Sequence, residues 1–363
     1  MSVLSGVRIV EFQGLGPGPF CGMLLADLGA DVILVERPEN AGAGPARLFN
    51  RGKRSIGLDP KNPAARAAAI TICARADALI EGLRPGVMER LELGPDVLMA
   101  ANPKLVYGRL TGWGQTGPLA QSAGHDINYA SLSGAAWYSG QAGAAPVPPP
   151  TMVGDIGGGA LYLAIGILSG VLKARETGKG TVVDAAIVDG SAHMMALLMS
   201  MAPSGNTVTE RGQSLLDGAH WCRTYACADG EWLSVQCLEP KFHAEFLSLM
   251  GLKDDPAFAE QYDRAQWPGQ CARLAAIFAE KPVAHWTALF EGSDACVAPV
   301  LSPEAAAQDP HMQARATWSE AGGTLQPAPA PRFDDAVPTP AAPPARGADS
   351  DAIRKELDER GLI

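Results

Sequence analysis

None of the seven cysteines (Cys21, Cys73, Cys222, Cys227, Cys237, Cys271, Cys296) stands in a C-x-x-C pair, and their number is odd. A zinc ribbon or a disulfide framework is therefore not expected, and the thiols read as reduced, mostly core residues of a cytoplasmic protein. Basic residues are the minority, 29 Lys and Arg against 39 Asp and Glu, for a formal net charge of −10. No basic stripe is visible, which argues against nucleic acid as a partner, although a local basic patch can still hold an anion. The first residues lack the basic start and long apolar run of a signal peptide. The most apolar uncharged run, near Gly157–Leu172, is short for a membrane span and rich in glycine, so it reads as a buried helix with no membrane partner. No internal repeat is evident.

What is present is a globular composition: 363 residues, 47% hydrophobic and 19% charged. That is enough for one large domain and a second, smaller one, stable without cross-links. The opening reads strand, turn, helix, strand: Val7–Phe12, the glycine-proline run Gly14–Pro19, Phe20–Leu28 with helical spacing, then Asp31–Glu36. This βαβ unit implies parallel strands. The alternation continues with a helix near Ala64–Ala74, a strand at Ala78–Glu81, a helix at Gly86–Leu91 and a strand at Leu105–Leu110, which predicts a doubly wound, Rossmann-like α/β domain. A Pro/Ala linker at Ala144–Pro150 leads to a long helix, about Gly157–Arg175, a strand at Thr181–Val188 and a Met-rich helix at Ser191–Met201. Thr224–Leu238 predicts a hairpin turning at Asp229-Gly230. Amphipathic helices are expected near Lys241–Met250, Trp267–Glu280 and Val283–Gly292. The expected domains are 1–205 (large α/β), 206–320 (small α+β) and 321–363 returning to the first, with Gln326–Arg346 extended and Asp349–Glu359 a terminal helix.

The glycine turn after the first strand, with Glu36 ending the second, invites comparison with a dinucleotide fingerprint. The comparison fails. From Gly14 the third glycine position is Pro19; from Gly16 it is Cys21. Pro17 and Pro19 also remove two N–H donors that a pyrophosphate needs, leaving a structural turn as the simpler reading. Arg37 directly follows the second strand, at the carboxyl end of the sheet where open α/β sheets bind ligands, and further basic side chains lie at Arg51, Lys53, Arg54, Lys61, Arg84 and Arg90. Arg84 precedes a Pro-started helix, where arginine forks and a helix N-terminus could hold a polyphosphate. Composition alone favours ordinary surface charge on an acidic protein over a ligand site.

Two residues can handle protons. His125, in Gly124-His125-Asp126-Ile127-Asn128-Tyr129, is either a base or a structural hydrogen-bonder. Asp155, in Val153-Gly154-Asp155-Ile156-Gly157, reads either as the N-cap of the long helix, worth about 1 kcal/mol, or as an acid/base whose pKa is raised by desolvation and lowered by nearby amides. In the second reading the following glycines let a ligand reach free backbone N–H groups that stabilise an enolate oxygen.

The runs Leu4–Glu11, Leu25–Val32, Arg84-Pro85-Gly86-Val87, Thr111–Gln115, Gly124–Tyr129 and Val153-Gly154-Asp155 carry a resemblance along nearly the whole chain. It resembles the α-methylacyl-CoA racemases of the family III CoA-transferase superfamily, the bacterial, mycobacterial-type members in particular; Gly124–Tyr129 is the racemase-specific part. The resemblance implies that His125 and Asp155 are catalytic bases on opposite faces of the substrate α-carbon, and that Glu239 is a supporting carboxylate from the small domain. It implies coenzyme A contacts at Arg37, Leu58, Asp59, Pro60, Lys61, Gly82, Leu83, Arg84, Arg90, Gly124, Asp126, Ile127, Asn128 and Tyr129. It also implies an interlocked homodimer with each active site between the large domain of one chain and the small domain of the other. The expected activity is R/S interconversion of 2-methylacyl-CoA thioesters, an isomerase reaction needing no cofactor, since coenzyme A is part of the substrate. Met194, Met195, Met199 and Met201 either pack a core helix or, as the resemblance implies, form an adaptable surface for the acyl chain. The alternatives are a family III CoA-transferase with Asp155 as nucleophile, for which a base at 125 has no use, and a non-catalytic acyl-CoA-binding protein.

Overall fold

Strand β1 (Arg8–Phe12) is buried along almost its entire length because it is central in a parallel sheet covered on both faces, where apolar residues run continuously rather than alternate. The computed structural model describes residues 2–38, 48–321, 323–334, 336–337 and 339–358. After β1 come α1 (Pro17–Asp27), β2 (Asp31–Glu36), β3 (Arg54–Gly57), α2 (Pro63–Cys73), β4 (Ala78–Glu81), α3 (Val87–Arg90), α4 (Pro95–Ala101) and β5 (Val106–Thr111). Then follow α5 (Asp126–Leu132), a π-helical segment (Met152–Ala160) running into α6 (Leu161–Thr177), β6 (Thr181–Ala186) and α7 (Ile187–Met194). The six strands lie in the order β3-β2-β1-β4-β5-β6, and each pairs with its neighbours in parallel. One face packs against α1 and α6 through Cys21, Leu25, Leu163 and Ile167; the other packs against α2 and α4 through Ala69, Ile72 and Leu98. The strand order reverses between β1 and β4, so the loops leaving those strands diverge and open a crevice at the carboxyl edge.

The chain divides into two compact units: Met1–Ala135 with Pro149–Met194 and Ala307–Ile363, and Ala136–Pro148 with Met195–Ala306. The second unit thus begins at Met195 rather than at 206, ends at 306 rather than 320, and takes in residues 136–148. That segment is tied there by the Trp137 indole, which donates to the Thr209 carbonyl at 2.7 Å, and by Arg211, which donates to the carbonyls of Ser139 and Ala144. The expected Met-rich helix is two short helices, α7 and α8 (Ala196–Ser200), parted at the unit boundary.

The second unit holds the antiparallel sheet β7 (Arg223–Ala226), β8 (Trp232–Val235) and β9 (Val297–Pro299), with α9 (Pro240–Leu249), α10 (Trp267–Phe278), α11 (Val283–Phe290) and α12 (Pro303–Ala306). Its core is aromatic, built on Trp221, Tyr225, Phe246, Phe278, Trp286 and Phe290. The first unit resumes with α13 (Pro310–Ala314), a hairpin of β10 (Trp318–Ala321) and β11 (Thr324–Pro327), and α14 (Ser350–Asp358). The hairpin takes in Gln326 and Pro327, the first two residues of the stretch expected to run extended to Arg346; residue 359, the expected end of the last helix, lies outside the described residues. The helical run Met152–Thr177 is long and apolar enough to cross a membrane. One face of it, with Leu163, Ala164, Ile167, Gly170, Val171 and Ala174, is buried within the first unit, while Leu161, Ile165 and Leu172 on the other are exposed, so the helix is half-buried rather than the buried helix expected.

Candidate active site

Asp155 does not cap α6. It sits inside the π-helical segment, four positions into the nine residues Met152–Ala160, and its own N–H donates to Asp126 Oδ1 at 2.8 Å. Asp126 Oδ2 accepts the Thr151 N–H at 3.0 Å. One carboxylate in the first turn of α5 therefore clamps the start of the π segment, where Thr151 holds a left-handed φ of 61°. Gly154 makes the clamp possible, because a Cβ there would lie 2.5 Å from Asp126 Oδ1. The amides near Asp155 are consequently not the free donors expected from the glycine run: Asp155 N–H binds Asp126, and Ile156 N–H binds the Thr151 carbonyl at 3.0 Å.

The Asp155 carboxyl faces the turn between β1 and α1. Gly16, at φ 63° and ψ −114°, would bring a Cβ to 3.4 Å from Asp155 Oδ2, so the glycine turn shapes the site. The carboxyl is pushed up to about 6, chiefly by burial and next by the Asp126 charge; the His125 imidazole opposes both. His125, exposed, is the residue preceding α5, with its N–H donating to Asn128 Oδ1 at 3.0 Å. His125, Asp126 and Asp155 thus share one electrostatic neighbourhood at the carboxyl edge of the sheet.

Tyr129 forms the wall beside them. Its hydroxyl donates to the Gly124 carbonyl, and its ring meets Trp113 edge-on at 4.7 Å. Glycine at 112 and 124 leaves room for that ring, since a Cβ at either would come within 2.7 Å of it. Burial raises the Tyr129 phenol, the Asp155 charge adds to this, and the Arg84 cation opposes it. The loop carrying Arg84 is tied to the loop before α5 by the Gln121 amide, which donates to the Pro85 carbonyl at 3.2 Å.

The seven basic residues separate into two groups. Arg51 pairs with Asp27 at 2.6 Å, Lys53 with Glu11 at 2.6 Å, and Arg54 with Asp31 at 2.6 Å; these three hold the fold together. Arg37, Lys61, Arg84 and Arg90 are exposed beyond the ends of β2, β3 and β4, and make no ion pair among the described residues. Around them, Arg37 N–H donates to Gln13 Oε1 at 3.2 Å, Leu58 is buried, Pro60 is half-buried and Asp59 Oδ1 accepts the Lys61 N–H at 3.1 Å. Gly82 backs onto the Leu110 carbonyl, Leu83 N–H donates to Glu81 Oε2 at 2.8 Å, and Ile127 is half exposed. Glu239 lies in the second unit as the exposed residue preceding α9. The sequence reading took Asp126 for a ligand contact and missed its grip on Asp155; the Gly154-Asp155 pair was the available signal, a residue without a side chain directly before a charged one.

The chain belongs to CoA-transferase family III, whose model matches residues 4–350. Among its curated relatives, the α-methylacyl-CoA racemase of Mus musculus is 43% identical over 346 residues, 95% of this chain and 89% of the mouse protein. The racemase of Homo sapiens is 41% identical over 94% of this chain and 88% of its own. Among solved structures, a CaiB/BaiF family protein from Brucella suis superposes with a TM-score of 0.81 at 28% identity, covering 98% of this chain and 100% of that one.

Proposed function

We propose that this protein interconverts the R and S forms of 2-methylacyl-CoA thioesters by moving the C2 proton off one face and back onto the other. The observation that carries the reading is the placement of Asp155: a carboxyl raised to about 6, held by its own backbone to Asp126 and under the influence of the His125 imidazole. An acid poised near neutrality serves equally as proton donor and acceptor. Inversion needs two such groups because the proton returns to the opposite face. His125 removes it from one enantiomer while protonated Asp155 delivers another; the reverse direction exchanges the roles.

A thioester α-proton is far weaker an acid than imidazole, and each pKa unit of mismatch is worth about 1.4 kcal/mol. The enolate therefore has to be stabilised as it forms. The N–H groups of Asp126 and Ile127, at the start of α5, have no acceptor among the described residues and lie in the chain directly after His125; they take the role expected of the amides around Asp155. Arg37, Lys61, Arg84 and Arg90, which make no ion pair among the described residues, offer cations for the coenzyme A phosphates, with Leu58 to Pro60, Gly82, Leu83 and Gly124 to Tyr129 lining its path. Glu239 supports the site from the small domain of a partner subunit in an interlocked homodimer, the assembly that the racemase reading requires.

The rival chemistry uses the Asp155 carboxylate as a nucleophile on the thioester, forming a mixed anhydride. Incubation with acyl-CoA and hydroxylamine separates the two. The racemase leaves Asp155 unmodified through many turnovers; a hydroxamate at residue 155, found by peptide mass analysis, would mean a transferase.

A further inference from the structure

Strand β3 is an edge of the parallel sheet, and the C-terminal segment covers it. A bare edge strand is a template for pairing with other chains, so a cover is expected. The cover is fastened mainly at one residue. Ser55 donates its N–H to Asp349 Oδ2 at 2.8 Å, its carbonyl accepts the Asp349 N–H at 3.0 Å, and its Oγ accepts the Gly347 N–H at 2.6 Å. Gly347 makes this turn at φ 63°, a conformation open to glycine. Gly57, the last residue of β3, donates its N–H to Ser350 Oγ at 3.2 Å. At the other end of the strand, Glu356 pairs with Arg54 at 3.1 Å and with Arg8 at 2.5 Å. Residues 346–356 therefore run along β3 from its carboxyl end to its amino end.

Glu36 closes β2, the position at which dinucleotide folds place the acid that holds a ribose. That carboxylate is buried and already engaged: Oε1 accepts the Ser55 hydroxyl at 2.5 Å, and Oε2 pairs with Arg346 Nε at 3.5 Å. Arg346 Nη1 also donates to the Arg37 carbonyl at 3.4 Å. One side chain of the covering segment thus reaches both the last residue of β2 and the first residue beyond it, while Gly347 and Ser350 hold the end of β3. The two strand ends lie against each other, since a Cβ at Gly57 would stand 3.5 Å from Pro38 Cβ. From them leave Arg37 and the run Leu58 to Lys61, which carry two of the cations assigned to the coenzyme A phosphates. Given that acyl-CoA reading, on which this rests, we infer that Arg346 is a positioning residue for the nucleotide end of coenzyme A. It balances the buried Glu36 charge, ties the Arg37 backbone and so fixes the spacing of the two loops. Removing the guanidinium strands Glu36 as a buried charge without its cation, which draws the carboxylate toward water and loosens the end of β2.

Calorimetric titration of the full-length protein with coenzyme A tests this, together with turnover of 2-methylacyl-CoA and of the matching pantetheine thioester, which lacks the nucleotide. Arg346→Gln is expected to weaken coenzyme A binding and to raise KM for the CoA thioester by at least about tenfold, with kcat within about twofold of its original value. The pantetheine thioester is expected to keep its kcat/KM, a result that a general loosening of the fold does not give. If the unsubstituted protein binds no coenzyme A, the acyl-CoA reading falls and this role falls with it. If it binds coenzyme A but Arg346→Gln binds it as tightly, or if both thioesters suffer alike, the reading stands and the positioning role is overturned.

Discussion

At the scale of single residues, the central fact is that one carboxylate positions another. Asp126 accepts two N–H groups with its two oxygens, from Thr151 and from Asp155. Asparagine cannot do this, because its amide nitrogen would face one of the donors. The Asp126 charge also helps keep the Asp155 carboxyl near 6. For the enantiomer whose proton goes to Asp155, the rate should fall as pH drops through about 6, since the base form is lost. Asp126→Asn should lower kcat about tenfold or more through the loosened geometry, and move that acid limb downward by a few tenths to about one pH unit. A pH–rate profile of each enantiomer measures both effects; an unmoved limb would assign it to another group. Asp155 was legible in the sequence as an acid before an apolar helix, but its π-helical setting was not, because periodicity does not separate a π turn from the first turn of an α-helix.

At the scale of elements, β1, α1 and the start of β3 are joined by a fully buried ion pair. Lys53 Nζ reaches Glu11 at 2.6 Å and the Pro19 carbonyl at 3.0 Å, in the first turn of α1, just after the glycine turn that faces Asp155. Burial pushes the Glu11 carboxyl up even beside the ammonium. Removing one partner leaves the other stranded: Lys53→Met should cost about 3–5 kcal/mol in urea unfolding, while the Glu11→Leu/Lys53→Met double substitution should recover most of it. A double variant as unstable as the single one would contradict this. The strands and helices themselves were readable from apolar runs and glycine-proline punctuation, down to the hairpin turn at Gly230, where φ is 83°. Which basic residues form ion pairs among the described residues was not readable, because Arg51, Lys53 and Arg54 find their acids on other elements, 23 or more positions away in the chain.

At the scale of the whole molecule, the two units differ in what they bury. The first buries a parallel sheet; the second buries aromatic rings around a histidine pair, His220 and His243, with Nε2 atoms 2.8 Å apart. Burial holds both imidazoles neutral, down to about 3 for His220 and about 4 for His243. Unfolded imidazoles titrate near 6.5. Between about pH 6.5 and 4 the unfolded chain binds protons at these two sites that the folded one refuses, so the histidine pair's contribution to stability falls as pH drops through that window, while the raised Asp155 and Glu11 carboxyls pull the other way. Urea unfolding monitored by tryptophan at about pH 6.5 and 4 should show the unmodified chain faring worse on acidification than His220→Phe, by about 1 kcal/mol per pH unit; an equal pH dependence in the two proteins would refute the assignment. The unit boundaries escaped the sequence because the Pro/Ala run 144–150 looks like a linker between domains, yet Trp137 and Arg211 bind residues 136–148 to the second unit.

The reading of the chain as a two-base racemase is tested most directly by incubating it with (R)-2-methylacyl-CoA in deuterated water and following C2 by proton magnetic resonance together with chiral analysis. The account predicts deuterium at C2 of the S product, formed at the rate of inversion and abolished in both His125→Ala and Asp155→Asn. Inversion that survives either substitution, or an R substrate recovered unlabelled and uninverted, would contradict it.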